Sequence, residues 1–257
     1  MQPQPMTSRQ ASLPTHSPVV QSILERARAA WGLAAAAAGA AVLVVTPSQA
    51  APDVSLEVTH RSVSLGADGI QRSTEFSERV LRRGDTVWVE RVLPAGAHQD
   101  AEHRQAKTGA AKDHKHADLS AATRWIQKGA DGKLKLKLVS AHDQVVVDIA
   151  PAEFATVGFD GAWPAAYHLI DPALLQKLKP AAKAGEAQWF ESPKAEGANQ
   201  VRVLWDAKLE VPLQVQTRSA NGLASRSTTV RLLKSAEKAP WQATSGYAVK
   251  DYSDFLD

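Results

Sequence analysis

Four histidines, His98, His103, His114 and His116, fall within 19 residues, with Asp100, Glu102, Asp113 and Asp118 among them. Imidazoles at alternate positions, as in His114-Lys115-His116, are spaced to chelate one Cu or Zn ion from a flexible loop, neighbouring carboxylates completing the shell. Lys107, Lys112 and Lys115 oppose a cation there, and a solvated polar loop with incidental histidines is the competing reading. The chain has no cysteine, so any metal would be held through nitrogen and oxygen. A disulfide scaffold, a thiolate nucleophile and a lipid-accepting cysteine are excluded. His60 and His168 stand alone, and His142-Asp143 lies where turn chemistry favours Asp. No G-x-S-x-G elbow, H-E-x-x-H pair, phosphate-binding P-loop or G-x-G-x-x-G fingerprint is present. Glu153, Asp160 and Asp171 form no recognisable acid and base pair. The expectation is a protein that binds and does not catalyse.

The elements that must position these residues are mostly strands. Val54, Leu56 and Val58 alternate with Ser55, Glu57 and Thr59, the period of a half-buried strand. Gln71 to Leu81 and Thr86 to Leu93, joined through Arg83-Gly84-Asp85, read as an antiparallel pair. Lys133 to Leu138 alternates leucines with lysines and returns through Ser140-Ala141-His142 into Asp143 to Ile149. The lysine row reads as a solvated outer face. Strands are also expected over 187–191, 200–206, 212–219 and 225–234, with Asn221-Gly222 turning the last pair. Between these, 94–118 lacks large apolar side chains and reads as a mobile loop. Leu119 to Gln127 has helical spacing, Gly158 to Trp163 reads as a turn, and Asp171-Pro172 opens a helix that Pro180 stops. Strands that follow one another without long helices argue against a parallel α/β sheet.

Residues 1–50 differ from the rest. Arg9, Arg26 and Arg28 are their only Lys or Arg residues, Glu25 their only acid, and Ala29 to Val45 is uncharged and rich in alanine. With Ser48 and Ala50 after it, this segment reads as a secretory signal cleaved after Ala50, an uncleaved anchor being the alternative. The whole chain of 257 residues holds 30 Lys+Arg and 27 Asp+Glu, and without its first 50 residues it is close to neutral. Nothing in that balance supports nucleic-acid binding. The remainder, 51–257, has the length of one domain.

Val201 to Val215, which contains Trp205-Asp206 and Pro212-Leu213, followed by Asn221-Gly222 and the strand from Ser225, resembles the strand, turn and strand unit of periplasmic lipoprotein carriers of the LolA/LolB superfamily. The ending from Trp241, with Gly246-Tyr247-Ala248-Val249, is similar as well. The resemblance implies a mainly β (α+β) fold, a curved antiparallel half-barrel with a few short helices packed on its open side. Its concave apolar interior would accept an acyl chain. Here that interior would be built from Leu56, Val58, Trp88, Leu136, Leu138, Val145, Val147, Val203, Trp205, Leu213 and Val215, with Leu174, Leu175 and Leu178 as a lid. A solid core made of the same residues is the competing reading. Trp88, Trp125, Trp163, Trp189, Trp205 and Trp241 could line such a cavity or anchor such a core. The implied protein is exported to the periplasm, binds lipid or a lipidated protein, and carries no cofactor and no membrane span once the signal is removed. Two alternatives stand beside it: a Cu or Zn or redox-partner protein using the histidine loop, and an envelope docking module with Asp251, Tyr252, Asp254, Phe255 and Asp257 as its tail.

Overall fold

The computed structural model describes residues 51–93, 121–234 and 238–255, and the compact unit spans Gln49–Asp257. The expected signal segment and the histidine loop lie outside the described residues. Among the described residues twelve strands form one open sheet: β1 (Val54–Leu65), β2 (Gln71–Arg83), β3 (Thr86–Val92), β4 (Thr123–Lys128), β5 (Leu134–Ser140), β6 (Val145–Ile149), β7 (Lys179–Ala184), β8 (Ala187–Glu191), β9 (Gln200–Asp206), β10 (Val211–Arg218), β11 (Ala224–Leu232) and β12 (Ala248–Asp251). Their order is β12-β6-β5-β4-β3-β2-β1-β11-β10-β9-β8-β7. Neighbours are antiparallel except for β12, which runs parallel to β6. The expectation of a mainly β, open half-barrel with few helices holds, with that one parallel pair added.

The sheet bears its core on both faces. Leu56 and Val58 face the same way as Val80, Val87, Ile126, Leu136, Leu138 and Val147, and these meet in the largest buried cluster. The segment 151–169 packs onto it through Phe154, Phe159, Trp163 and Tyr167, the last two from the short helix α1 (Trp163–His168). On the other face Leu81, Trp88, Val139 and Val146 form a separate cluster that Trp125, Trp241 and Tyr247 join. Strands β3 to β6 are therefore covered on both sides, and their apolar residues stand next to one another in sequence.

That double cover explains one departure from expectation. Residues 119–127 were expected to be helical, yet 123–128 form β4, where Ile126 pairs with Leu136 on one face and Trp125 stands beside Trp88 on the other. Adjacent apolar residues that serve two faces imitate a helical stripe. The helix expected after Asp171-Pro172 forms as a 3-10 helix over Pro172–Lys177, its first turn capped by the Asp171 carboxylate accepting from the Ala173 N–H at 2.9 Å. Pro180 does not end the structure but sits in edge strand β7, where a missing N–H costs little. The tight β2–β3 and β10–β11 turns place Gly84 and Gly222 at φ +53° and +71°, a region open to glycine and strained for other residues.

Candidate functional site

The Trp205-Asp206 turn is where the fold and the candidate site meet. Asp206 Oδ1 accepts from the backbone N–H groups of Lys208 and Leu209, both at 2.9 Å, and Glu210 takes φ +51°. The turn thereby aims the Leu209 and Glu210 carbonyls back at the sheet, where Arg82 of β2 receives them. Arg82 is 1% exposed. Its guanidinium donates to the carbonyls of Pro52 (2.9 and 3.2 Å), Tyr167 (3.1 Å), Glu210 (3.4 Å) and Leu209. Its Cζ stands 4.7 Å from the centre of the Tyr167 ring. Burial holds this guanidinium below its ordinary value, with Tyr167, Glu210 and Asp53 acting in the opposite sense. His168 Nδ1 donates to the Glu210 carbonyl at 2.9 Å. One side chain thus ties the start of β1, helix α1 and the β9–β10 turn together.

Beside this hub, on the face that carries the helices, Val203 and Trp205 of β9 pack against Leu178. Around them Ile170, Leu174, Leu175, Phe190, Val201 and Val215 are only half-buried. The 3-10 segment supplying Leu174 and Leu175 is one short piece lying on the sheet, and short 3-10 pieces have poorer hydrogen-bond geometry than α-helices. An apolar seam consequently reaches solvent along the margin of the cover.

The expected interior residues divide into separate groups. Leu56, Val58, Leu136, Leu138 and Val147 lie in the large cluster with Val145 at its margin, while Val203, Trp205 and Leu178 lie in the seam cluster with Leu174, Leu175 and Val215 against them. Leu213 is half-buried at the bulge between Pro212 and Gln214 and belongs to neither. Trp88 is corrected to the opposite face. It neighbours Leu81 and Trp125 across the strands, and Trp125 and Trp241 have ring centres 6.0 and 6.4 Å from it. Buried members such as Leu56 at 1% and Val203 at 0% touch protein rather than open space. Reaching them requires lifting the cover, whereas the seam is already accessible.

A polar group that the sequence did not disclose occupies another part of the same face. His60 Nε2 stands 3.4 Å from Glu78 Oε2, His60 Nδ1 lies 3.1 Å from Thr228 Oγ1, and Arg124 donates to Glu78 Oε1 at 3.0 Å. The His60 ring stacks on Phe76 at 4.9 Å, and the Arg91 Cζ lies over the Phe76 ring, 4.5 Å from its centre. Burial alone would push the Glu78 carboxyl up. The His60 hydrogen bond and the charges of Arg124, His60 and Arg91 outweigh it and hold the carboxyl below its ordinary value. Both His60 nitrogens have partners, which makes the group a polar plug between β1, β2, β4 and β11. The available signal was parity, since His60 falls on the same alternation as Leu56 and Val58. His98, His103, His114 and His116 lie outside the described residues. Among the described residues no three His, Asp or Glu side chains converge as metal ligands.

With this geometry in view, the chain can be set beside known proteins. No protein-family model and no curated protein matches it. Solved structures similar to it include proteins of the lipoprotein-sorting class. One is an outer membrane lipoprotein-sorting protein domain from Vibrio parahaemolyticus, with 12% identity over 72% of this chain and 88% of that one, at a TM-score of 0.30. Another is the LolA superfamily protein NE2245 from Nitrosomonas europaea, with 9% identity over 77% and 91% at 0.30. PNGF-II is also similar, at 11% identity and a TM-score of 0.33, but the chain spans only 32% of its length.

Proposed function

We propose that the chain is an exported, non-catalytic binding protein of the periplasm that takes an acyl chain or a similar apolar ligand at the seam between β8–β10 and the Pro172–Lys177 cover. The observation that carries this reading is the ring of half-buried apolar side chains, Ile170, Leu174, Leu175, Phe190, Val201 and Val215, around buried Val203 and Trp205. Soluble domains bury such surface or use it. A hydrocarbon chain laid along the seam loses water contact at about 0.8 kcal/mol per methylene. It needs no hydrogen-bond partner, which suits a seam lined by aliphatic and aromatic groups. Displacing the short cover costs few hydrogen bonds, so Leu178, Val203 and Trp205 become available as the ligand enters. The composition of residues 1–50 supports export, and a lipidated protein could present the chain as readily as a free lipid.

The test is native mass spectrometry of the protein purified from an envelope extract, followed by titration with a fluorescent fatty acid. A lipid-mass adduct and saturable fluorescence are expected, and Leu174→Asp or Val215→Asp at the accessible margin should lower the affinity at least tenfold while the far-ultraviolet circular dichroism is kept. A bare polypeptide mass with no saturable binding overturns the reading.

A further inference from the structure

Two adjacent hairpin tips expose apolar side chains in front of a groove lined by arginines. The β1–β2 and β10–β11 hairpins are neighbours, joined by the Leu65 N–H donating to the Leu223 carbonyl at 2.8 Å. At these tips Leu65, Ile70 and Leu223 are 43, 55 and 47% exposed. They are three of the five large apolar residues that stand exposed among the described residues.

Immediately behind them, on the sheet face opposite the helices, cross-strand register lines up Arg61, Ser227, Gln216 and Arg202, and in the next row Val63, Ser225, Arg218 and Gln200. These residues, with Thr217 and Arg226, line a groove of about 490 Å³. Arg202 is paired with Glu191 at 2.8 Å and Arg61 loosely with Glu75 at 3.9 Å. Among the described residues no carboxylate pairs with Arg218, so the groove keeps a positive excess. The Arg218 guanidinium also reaches back over the tip, since a Cβ placed on Gly222 would meet its Nη2 at 3.4 Å.

An apolar tip alone fits many partners, and an arginine groove alone fits many anions. Their adjacency selects a surface that offers hydrocarbon and phosphate together. We propose that the two tips and the groove dock the protein on an anionic phospholipid membrane, with Leu65, Ile70 and Leu223 entering the interface and Arg61 and Arg218 meeting lipid phosphates. The docking surface lies on the face opposite the apolar seam, so the proposal stands whether or not the seam takes an acyl chain.

The absence of cysteine allows a clean test. An Ile70→Cys variant of the full chain carries a single environment-sensitive fluorophore at the tip, which reports the surroundings of the tip itself rather than those of residues 29–45. Vesicles of phosphatidylcholine with an equal share of phosphatidylglycerol should shift its emission to the blue, and vesicles of phosphatidylcholine alone should not. Each arginine near an anionic surface strengthens binding about fivefold, so Arg61→Gln with Arg218→Gln should weaken the response roughly 25-fold, and raised salt should weaken it too. Leu65→Ser with Leu223→Ser should lower the blue shift at saturating lipid. An equal response to both vesicle types, no response to the anionic ones, or an unchanged titration in the arginine variant overturns the proposal.

Discussion

Replacing Arg82 should loosen the fold more than any surface charge, and should do so first at the cover. Its guanidinium makes five N–H···O bonds to four carbonyls and stacks on Tyr167. None of these partners is a carboxylate, so removing the cation strands no opposite charge. The loss is that of a charged donor set plus a buried stem. Hydrogen bonds to charged groups contribute about 1.5–3 kcal/mol each and do not add within one side chain. Arg82→Ala is therefore expected to cost about 3–5 kcal/mol, against about 5–15 kcal/mol for a whole domain. Arg82→Met keeps an apolar stem of similar reach but no donor, and should lose about half as much. Arg82→Lys offers one ammonium, which cannot span the carbonyls of Pro52, Leu209, Glu210 and Tyr167 together, and should fall between Met and the parent. Urea unfolding followed by tryptophan fluorescence reads these values; with a slope of about 2 kcal/mol per molar, the midpoint for the alanine variant drops by about 2 M. Hydrogen exchange should rise earliest over 163–169 and 207–211. Alanine and methionine variants within 1 kcal/mol of the parent would refute the account of Arg82 as a staple, and full rescue by lysine would refute the role of its fork geometry.

Two further outcomes follow from the polar plug and the second face. Glu78 has a folded-state value held below its ordinary 4.5, so its contribution is present above that value and is lost as pH falls through the folded one. The stability gap between the parent and Glu78→Gln, about 1–2 kcal/mol at pH 7, should accordingly close in acid, as denaturant midpoints across pH 2 to 7 would reveal; a gap that stays constant with pH counts against it. Trp241, stacked on Trp125 with ring centres 6.3 Å apart, fastens the segment before β12. Trp241→Ala should cost about 3 kcal/mol and open β12 and β6 to hydrogen exchange or proteolysis, while the β9–β11 region stays protected.

The alternation in β1 and β5 and the Arg83-Gly84-Asp85 and Asn221-Gly222 turns were legible in the sequence because each rests on a local rule, period two or positive φ. What escaped depended on distant partners. Lys179–Ala184 has no apolar period and becomes β7 only because β8 offers it an edge. Ala248–Asp251 becomes β12 only after the chain has crossed to pair in parallel with β6. Helix α1 hid behind Gly158, Gly161 and Pro164, residues that signal a turn, and is held by Tyr167 packing rather than by its own propensity. Trp88 was placed on the wrong face because Val87 and Trp88 are both buried, and residue type alone does not choose which of two covered faces each one takes. Of the candidate site, the Trp205-Asp206 turn and the leucines at 174, 175 and 178 were legible; the Arg82 hub was not, since its partners are backbone carbonyls that carry no sequence signature.

The position of β1 has a consequence for how the molecule is made. The first strand lies in the middle of the sheet, bonded on one side to β2 and on the other to β11, with Leu56 opposite Leu232 near the far end of the chain. A ribosome or a translocation pore releases the chain from its N-terminus, so β1 and β2 emerge long before the strand that completes them. Until then one edge of β1 remains open, and the closure of so long a loop makes the final step slow. The same connectivity that leaves a half-built sheet vulnerable to wrong pairing keeps the chain from locking into its final form before its last strands have arrived.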